Sequence, residues 1–125
     1  MNVVDSSAWL EYFVGGKSAS NFVKPIEDTK KLIVPSISIL EVFKKVLSTR
    51  GEDDALQAIA LMQQGQVVEL SVSIALLAGK LGVLYKLPMA DSIILATAKQ
   101  WKATLWTLDT DFIGLEGVRF FKKIL

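Results

Sequence analysis

Short apolar segments alternate with segments of helical periodicity along the whole chain, and this alternation restricts the fold more than any other feature. The apolar runs with the length of buried strands are 2–5, 32–34, 66–70, 104–108 and 118–121. The helical segments are 6–13, 18–26, 36–49, 53–64, 73–85 and 88–102. No two-residue hairpin signal joins two strands, which favours a parallel sheet with helices on both faces. We therefore predict one α/β domain over residues 1–125, a three-layer α/β/α sandwich around a mainly parallel sheet of four to five strands.

The composition excludes several classes of catalytic chemistry. The chain contains no cysteine and no histidine. Disulfides, a cysteine nucleophile, a Ser-His-Asp triad and a Cys/His zinc site are therefore impossible. Any metal ion must be held by oxygen, and oxygen ligands suit Mg²⁺, Mn²⁺ or Ca²⁺. Acid–base catalysis at neutral pH would fall to carboxylates, lysine, tyrosine or metal-bound water.

The apolar segments are too short to span a bilayer. The longest candidate, 71–98, is interrupted by Lys80, Lys86 and Asp91. The N-terminus lacks a positively charged region and an A-x-A cleavage site, so we expect no signal peptide. These features predict a cytoplasmic protein that does not enter a membrane.

Two acids directly follow predicted strands. Asp5 ends the first apolar run, and Asp109 follows the run 104–108. Ligands of open parallel α/β sheets bind beyond the carboxyl ends of the strands, so these two side chains can meet. Each acid also has a structural alternative. Asp5 can cap the helix that starts at Ser6, and Asp109 with Asp111 can form a turn or cap a short helix.

Asp91 lies in the first turn of the predicted helix 88–102, where the helix dipole stabilises an acid. It also heads the stripe of Leu95 and Ala98, which is expected to face the core. A buried carboxylate without a partner is costly, and no lysine or arginine lies on that stripe. A metal ion would be a suitable partner.

Glu41 has the strongest structural alternative of the candidate acids. Ser38 and Glu41 match the S-x-x-E capping box, and Glu41 precedes Lys45 by four residues, the favoured order for a helical ion pair. Helical periodicity gathers the apolar residues of 36–49 on the arc opposite Glu41. The pattern alone therefore favours a capping or surface role.

Several carboxylates that converge at one sheet edge repel one another, and divalent cations relieve that repulsion. Two-metal cleavage of phosphodiesters uses such a site and needs neither histidine nor cysteine. Ser6 and Thr107 lie beside the acids and can orient a ligand or serve as caps. Without the four candidate acids, 14 basic side chains face 9 acidic ones. This excess of positive charge is compatible with contacts to phosphate groups.

Four segments of the sequence, taken in order, resemble those of PIN domains. They are Val3–Leu10, Pro35–Val42, Leu87–Ala98 and Thr104–Phe112, the last of which is similar to the closing T-x-D-x-D-F segment of that family. Order, spacing and length agree over essentially the whole chain. The most similar subgroup is the VapC toxins of prokaryotic toxin–antitoxin pairs.

The resemblance implies a Mg²⁺- or Mn²⁺-dependent endoribonuclease, a hydrolase that acts on RNA as a homodimer and is inhibited by an antitoxin protein. It assigns Asp5, Glu41, Asp91 and Asp109 to the metal site, for Glu41 against the sequence pattern alone. Supporting roles would fall to Ser6, Thr107 and Asp111, and Asp111 could also share or exchange the role of Asp109. The hydrophobic share of 51% fits a groove for an antitoxin helix or a dimer interface.

Two other functions fit a chain of this length. A phospho-accepting receiver domain needs an aspartate directly after its central strand, whereas Asp53 and Asp54 follow Gly51 at a predicted helix start. A non-catalytic module could keep the same fold and bind a protein partner. The intact set of acids favours the enzyme, and failure to bind Mn²⁺ would favour the module.

Overall fold

The computed structural model describes all 125 residues and contains one sheet of five strands, all of them parallel. The strands are β1 (Asn2–Val4), β2 (Leu32–Pro35), β3 (Gln66–Val68), β4 (Thr104–Thr107) and β5 (Val118–Phe120). Their order across the sheet is β3-β2-β1-β4-β5. The predicted parallel α/β architecture is thus confirmed, with β1 at the centre.

Six α-helices cover the sheet. They are α1 (Ser6–Val14), α2 (Val23–Glu27), α3 (Ser36–Arg50), α4 (Glu52–Met62), α5 (Val72–Tyr85) and α6 (Met89–Gln100). Helix ends follow local signals in the sequence. Gly15 ends α1 in the left-handed conformation, with a φ of 65°. The hydroxyl of Ser71 caps α5 by accepting a hydrogen bond from the amide of Ile74.

The sheet separates two hydrophobic cores. One core packs α1 to α4 against the sheet through Trp9, Phe22, Val42 and Met62 among others. The other packs α5 and α6 against the opposite face. Val3 and Val4 of β1 are fully buried and belong to different cores, as expected where successive strand residues point to opposite faces. The molecule therefore has the three layers predicted.

The strand order excludes the receiver alternative. Receiver domains belong to the doubly wound folds of order 2-1-3-4-5, whereas this sheet has the order 3-2-1-4-5. Asp53 and Asp54 are exposed in the first turn of α4 and follow no strand. This placement confirms the expectation that Asp53 and Asp54 lie at a helix start and do not follow the central strand.

No single helix is long and apolar enough to cross a membrane. Only α5 and α6 taken together reach that length and hydropathy, and the pair is bent by 116°.

Helix α5 departs from its helical periodicity at one residue. Leu84, which the pattern groups with Ile74 and Leu81, is 66% exposed.

Candidate active site

Asp5 is held at the carboxyl end of the central strand. Its side chain is only 2% exposed. The carboxylate oxygen Oδ2 accepts hydrogen bonds from the hydroxyls of Ser7, at 2.7 Å, and Thr107, at 2.9 Å. Burial raises the pKa of Asp5, and these two hydrogen bonds offset only part of that effect. Asp5 occupies the N-cap position of α1 but makes no capping hydrogen bond, so the capping alternative is wrong.

Thr107 connects the two acids that follow strands. It is the last residue of β4 and is fully buried. Its Oγ1 donates to Asp5 and accepts a hydrogen bond of 2.8 Å from the amide of Asp109. A single hydroxyl therefore fixes the carboxylate of Asp5 relative to the backbone of Asp109.

Asp109 is the N-cap of a short 3-10 helix, Thr110–Phe112. Its Oδ1 accepts a hydrogen bond from the amide of Asp111 at 2.9 Å. The predicted capping role of Asp109 is thus present. The same turn brings a third acid to the site. Carboxylate oxygens of Asp91, Asp109 and Asp111 all lie within 4.8 Å of one another. Asp111, expected as a supporting residue or as one that shares the role of Asp109, contributes a carboxylate directly to this cluster.

Asp91 lies in the first turn of α6, as the sequence pattern predicted. Leu95 and Ala98 below it are buried, although α6 is in fact buried on almost every side from Ser92 to Ala98. Burial, followed by the negative charges of Asp109 and Asp5, raises the pKa of Asp91 to about 8. The cluster therefore concentrates more negative charge than the protein alone neutralises.

Glu41 reaches the site through Ser6. The hydroxyl of Ser6 donates a hydrogen bond of 2.7 Å to Oε1 of Glu41. Ser6 starts α1 directly after Asp5, so this bond joins α3 to the strand end that carries Asp5. Neither Glu41 nor Asp5 is among the acids whose oxygens lie within 4.8 Å of one another, but the charge of Asp5 raises the pKa of Asp91.

The capping box that the sequence suggested for Glu41 is wrong. The helix α3 begins at Ser36 with Pro35 as its N-cap, so Ser38 is already the third helical residue. Ser38 is buried and its hydroxyl has no hydrogen-bond partner. The buried face of α3 carries Ser38, Val42 and Val46, and Glu41 lies at its border and is partly buried. Leu40, expected on the apolar face, is 58% exposed.

Sequence reasoning missed Ser7. Its hydroxyl bonds the carboxylate of Asp5. The available signal was its position two residues after an acid that ends a strand.

The donor set fits a divalent cation. Carboxylate oxygens are the hard ligands that Mg²⁺ and Mn²⁺ prefer, and three of them already converge without a basic side chain in the cluster. Raised pKa values at Asp5 and Asp91 reflect burial and like charge, both of which a bound cation would compensate.

Comparison with known proteins gives one family. Residues 3–117 match the family model described as PIN domain. A toxin–antitoxin complex from Klebsiella pneumoniae contains a similar chain, with a TM-score of 0.85, 23% identity, and coverage of 99% of this chain and 100% of that one. VapC20 of Mycobacterium tuberculosis, a toxin that cleaves the sarcin-ricin loop, has a TM-score of 0.76 at 18% identity over 95% of this chain and 99% of its own. PAE2754 of Pyrobaculum aerophilum has a TM-score of 0.68 at 19% identity over 95% and 89%. No curated protein matches the sequence.

Proposed function

The chain belongs to the PIN domain family, and from that membership we propose that it is an endoribonuclease that depends on Mg²⁺ or Mn²⁺ and acts as the toxin of a toxin–antitoxin pair. The observation that carries the proposal is the convergence of Asp91, Asp109 and Asp111 within 4.8 Å, beside the buried carboxylate of Asp5. Similarity of fold to the Klebsiella pneumoniae toxin–antitoxin complex supports the assignment to the toxin.

In this proposal Asp5, Asp91 and Asp109 hold the cation, and Asp111 and Glu41 complete the acidic set. The chemistry that a bound cation would supply is activation of water for attack on the RNA phosphate and stabilisation of the charge on the leaving oxygen. The chain's own contribution is to fix the carboxylates in advance. Thr107 and Ser7 orient Asp5, the amide of Asp111 orients the carboxylate of Asp109, and Ser6 orients Glu41.

For the antitoxin we propose a groove of about 920 Å³ between α1, α3 and α4. Its apolar lining residues are Leu10, Phe13, Val14, Val46, Ala58 and Leu61. Three cations line it, Lys45, Arg50 and Lys123, against the acids Glu11 and Asp54. The carboxylate of Glu11 is already engaged, because it accepts a hydrogen bond of 3.0 Å from the amide of Ser18. The excess positive charge favours an amphipathic helix that carries acidic side chains.

For a homodimer we propose the outer face of α5 and the start of α6. The large apolar side chains exposed there are Val72, Leu76, Val83, Leu84 and Met89. The adjoining groove, of about 480 Å³, is lined by no charged residue. An uncharged apolar surface of this kind is suited to pairing with its own copy. Val83→Lys should convert a dimer into a monomer in sedimentation, and an unchanged mass would refute this interface.

Purified protein should cleave a structured RNA in Mg²⁺ or Mn²⁺ and stop when EDTA removes the metal. Asp5→Asn and Asp91→Asn should each reduce cleavage to background while the far-ultraviolet circular dichroism stays unchanged. Asp28→Asn is the matched control, because Asp28 is exposed and precedes β2. It therefore lies at the amino ends of the strands, opposite the acids. Normal cleavage by the two site variants would refute the assignment.

A further inference from the structure

We propose that Ser7 couples the groove between α1, α3 and α4 to the acidic site, so that a partner seated in the groove weakens metal binding at Asp5. The inference rests on the proposed function and adds a route of regulation to it. It requires no contact between the partner and the metal ligands themselves.

Ser7 belongs to both places at once. Its hydroxyl donates to Oδ2 of Asp5 at 2.7 Å and accepts a hydrogen bond of 3.4 Å from the amide of Leu108, and the residue lines the groove. It is only partly buried, whereas Asp5 behind it is almost completely buried. Ser7 therefore lies between the groove and the carboxylate.

The groove leads to Ser7 along one face of α1. Ser7, Leu10, Glu11 and Val14 all line it, and this spacing of three, four and seven residues defines a single helical stripe. On α3 the lining begins at Lys45, one turn beyond Glu41. Because Glu41 bonds Ser6, the start of α1 and this part of α3 are adjacent. A helix that fills the groove thus brings a side chain to Ser7 at its end.

The hydroxyl of Ser7 can make only one donated hydrogen bond at a time. A carboxylate or amide oxygen from the partner that takes this bond removes it from Asp5. Asp5 then keeps the hydrogen bonds from the hydroxyl of Thr107 and from the backbone of Ser6. Partners of a ligating carboxylate orient it, and their loss costs about ten- to hundredfold in metal affinity.

The absence of cysteine allows a direct test on the intact chain. Lys45→Cys is converted to the mixed disulfide with glutathione, a flexible probe with two carboxylates, and dithiothreitol removes it from the same sample. Calorimetry should find Mn²⁺ bound about tenfold more weakly with the probe than after reduction. The control is Lys30→Cys with the same probe, because Lys30 is exposed and precedes β2, at the amino ends of the strands and away from the acids.

Variants at position 7 test whether the effect of the probe on Mn²⁺ binding passes through the Ser7 hydroxyl. Ser7→Ala should bind Mn²⁺ more weakly from the start and should not respond to the probe, whereas Ser7→Thr, which keeps the hydroxyl, should respond like the parent. The coupling is refuted if the probe has no effect, acts equally in Ser7→Ala, or acts equally from position 30. These results leave the proposed function intact as long as the unmodified chain binds Mn²⁺ and cleaves RNA. If it does neither, the proposed function fails and the coupling fails with it.

Discussion

The acidic site is built more rigidly on its β1–β4 side than on its α3 side. On the first side, paired strands and the buried hydroxyl of Thr107 fix Asp5 and Asp109. On the other side, one acid, Glu41, is held by a single hydrogen bond from Ser6 and is only partly buried. Position in the sheet thus determines how firmly each acid is held. We expect the β1–β4 side to set metal affinity and the α3 side to adjust it.

Removal of the Thr107 hydroxyl should have the largest effect among the supporting residues. Thr107→Val keeps the shape but deprives Asp5 of a donor and the amide of Asp109 of its acceptor. Mn²⁺ affinity should fall by about ten- to hundredfold, and the free energy of unfolding should fall by about 1–3 kcal/mol. Calorimetry and urea denaturation measure the two quantities.

The matched control for this variant is Thr97→Val. Thr97 is equally buried, but its hydroxyl bonds only the carbonyl of Ile93 within α6. Its loss should leave Mn²⁺ affinity unchanged. If both variants weaken Mn²⁺ binding alike, the β1–β4 side is not specially organised by Thr107.

Glu41→Gln should reduce RNA cleavage less than Asp91→Asn does, because Glu41 lies outside the group of acids within 4.8 Å of one another and, unlike Asp5, is not among the charges that raise the pKa of Asp91. Ser6→Ala should have a similar effect, and the double variant should be little worse than either single one, since both act on one contact. Steady-state cleavage rates of the four proteins measure this. Loss of all cleavage in Glu41→Gln would contradict this expectation and would make Glu41 as important for cleavage as Asp91.

The last prediction concerns how the free energy of unfolding depends on pH when no metal is bound. Burial and the neighbouring carboxylates raise the pKa of Asp91 from 3.8 to about 8. The folded state thus holds this proton more tightly than the unfolded state does. The stabilising contribution is complete below pH 3.8 and is lost as pH rises through about 8.

Urea denaturation in EDTA should therefore give a free energy of unfolding that falls with pH across this window. Mg²⁺ should reduce the fall, because the cation replaces the proton as the compensating charge. Asp91→Asn should make the slope shallower. A slope identical to that of the parent chain would mean that Asp91 does not carry the burial cost assigned to it.

The core of the site was predictable because it depends on simple geometry. Parallel strands end at one edge of a sheet, so Asp5 and Asp109 were expected to lie there. Asp91 followed from its place at the head of a buried helical stripe. These inferences needed only the types and approximate limits of the elements.

The remaining features depend on contacts that a linear pattern does not contain. The capping box failed because α3 begins two residues before Ser38. The part played by Asp111 depends on the tight turn that Asp109 caps. The bond from Ser7 to Asp5 depends on how the first turn of α1 leaves the strand. The strand order depends on how the two cores pack and was not predicted.

The central claim is that the acids at the carboxyl edge of the sheet bind a divalent cation. A crystal soaked in Mn²⁺ and measured for anomalous scattering tests it most directly. We expect an anomalous peak in contact with carboxylate oxygens of Asp5, Asp91 and Asp109. A crystal with full Mn²⁺ exposure and no peak at these acids, or with a peak only elsewhere on the surface, would contradict it.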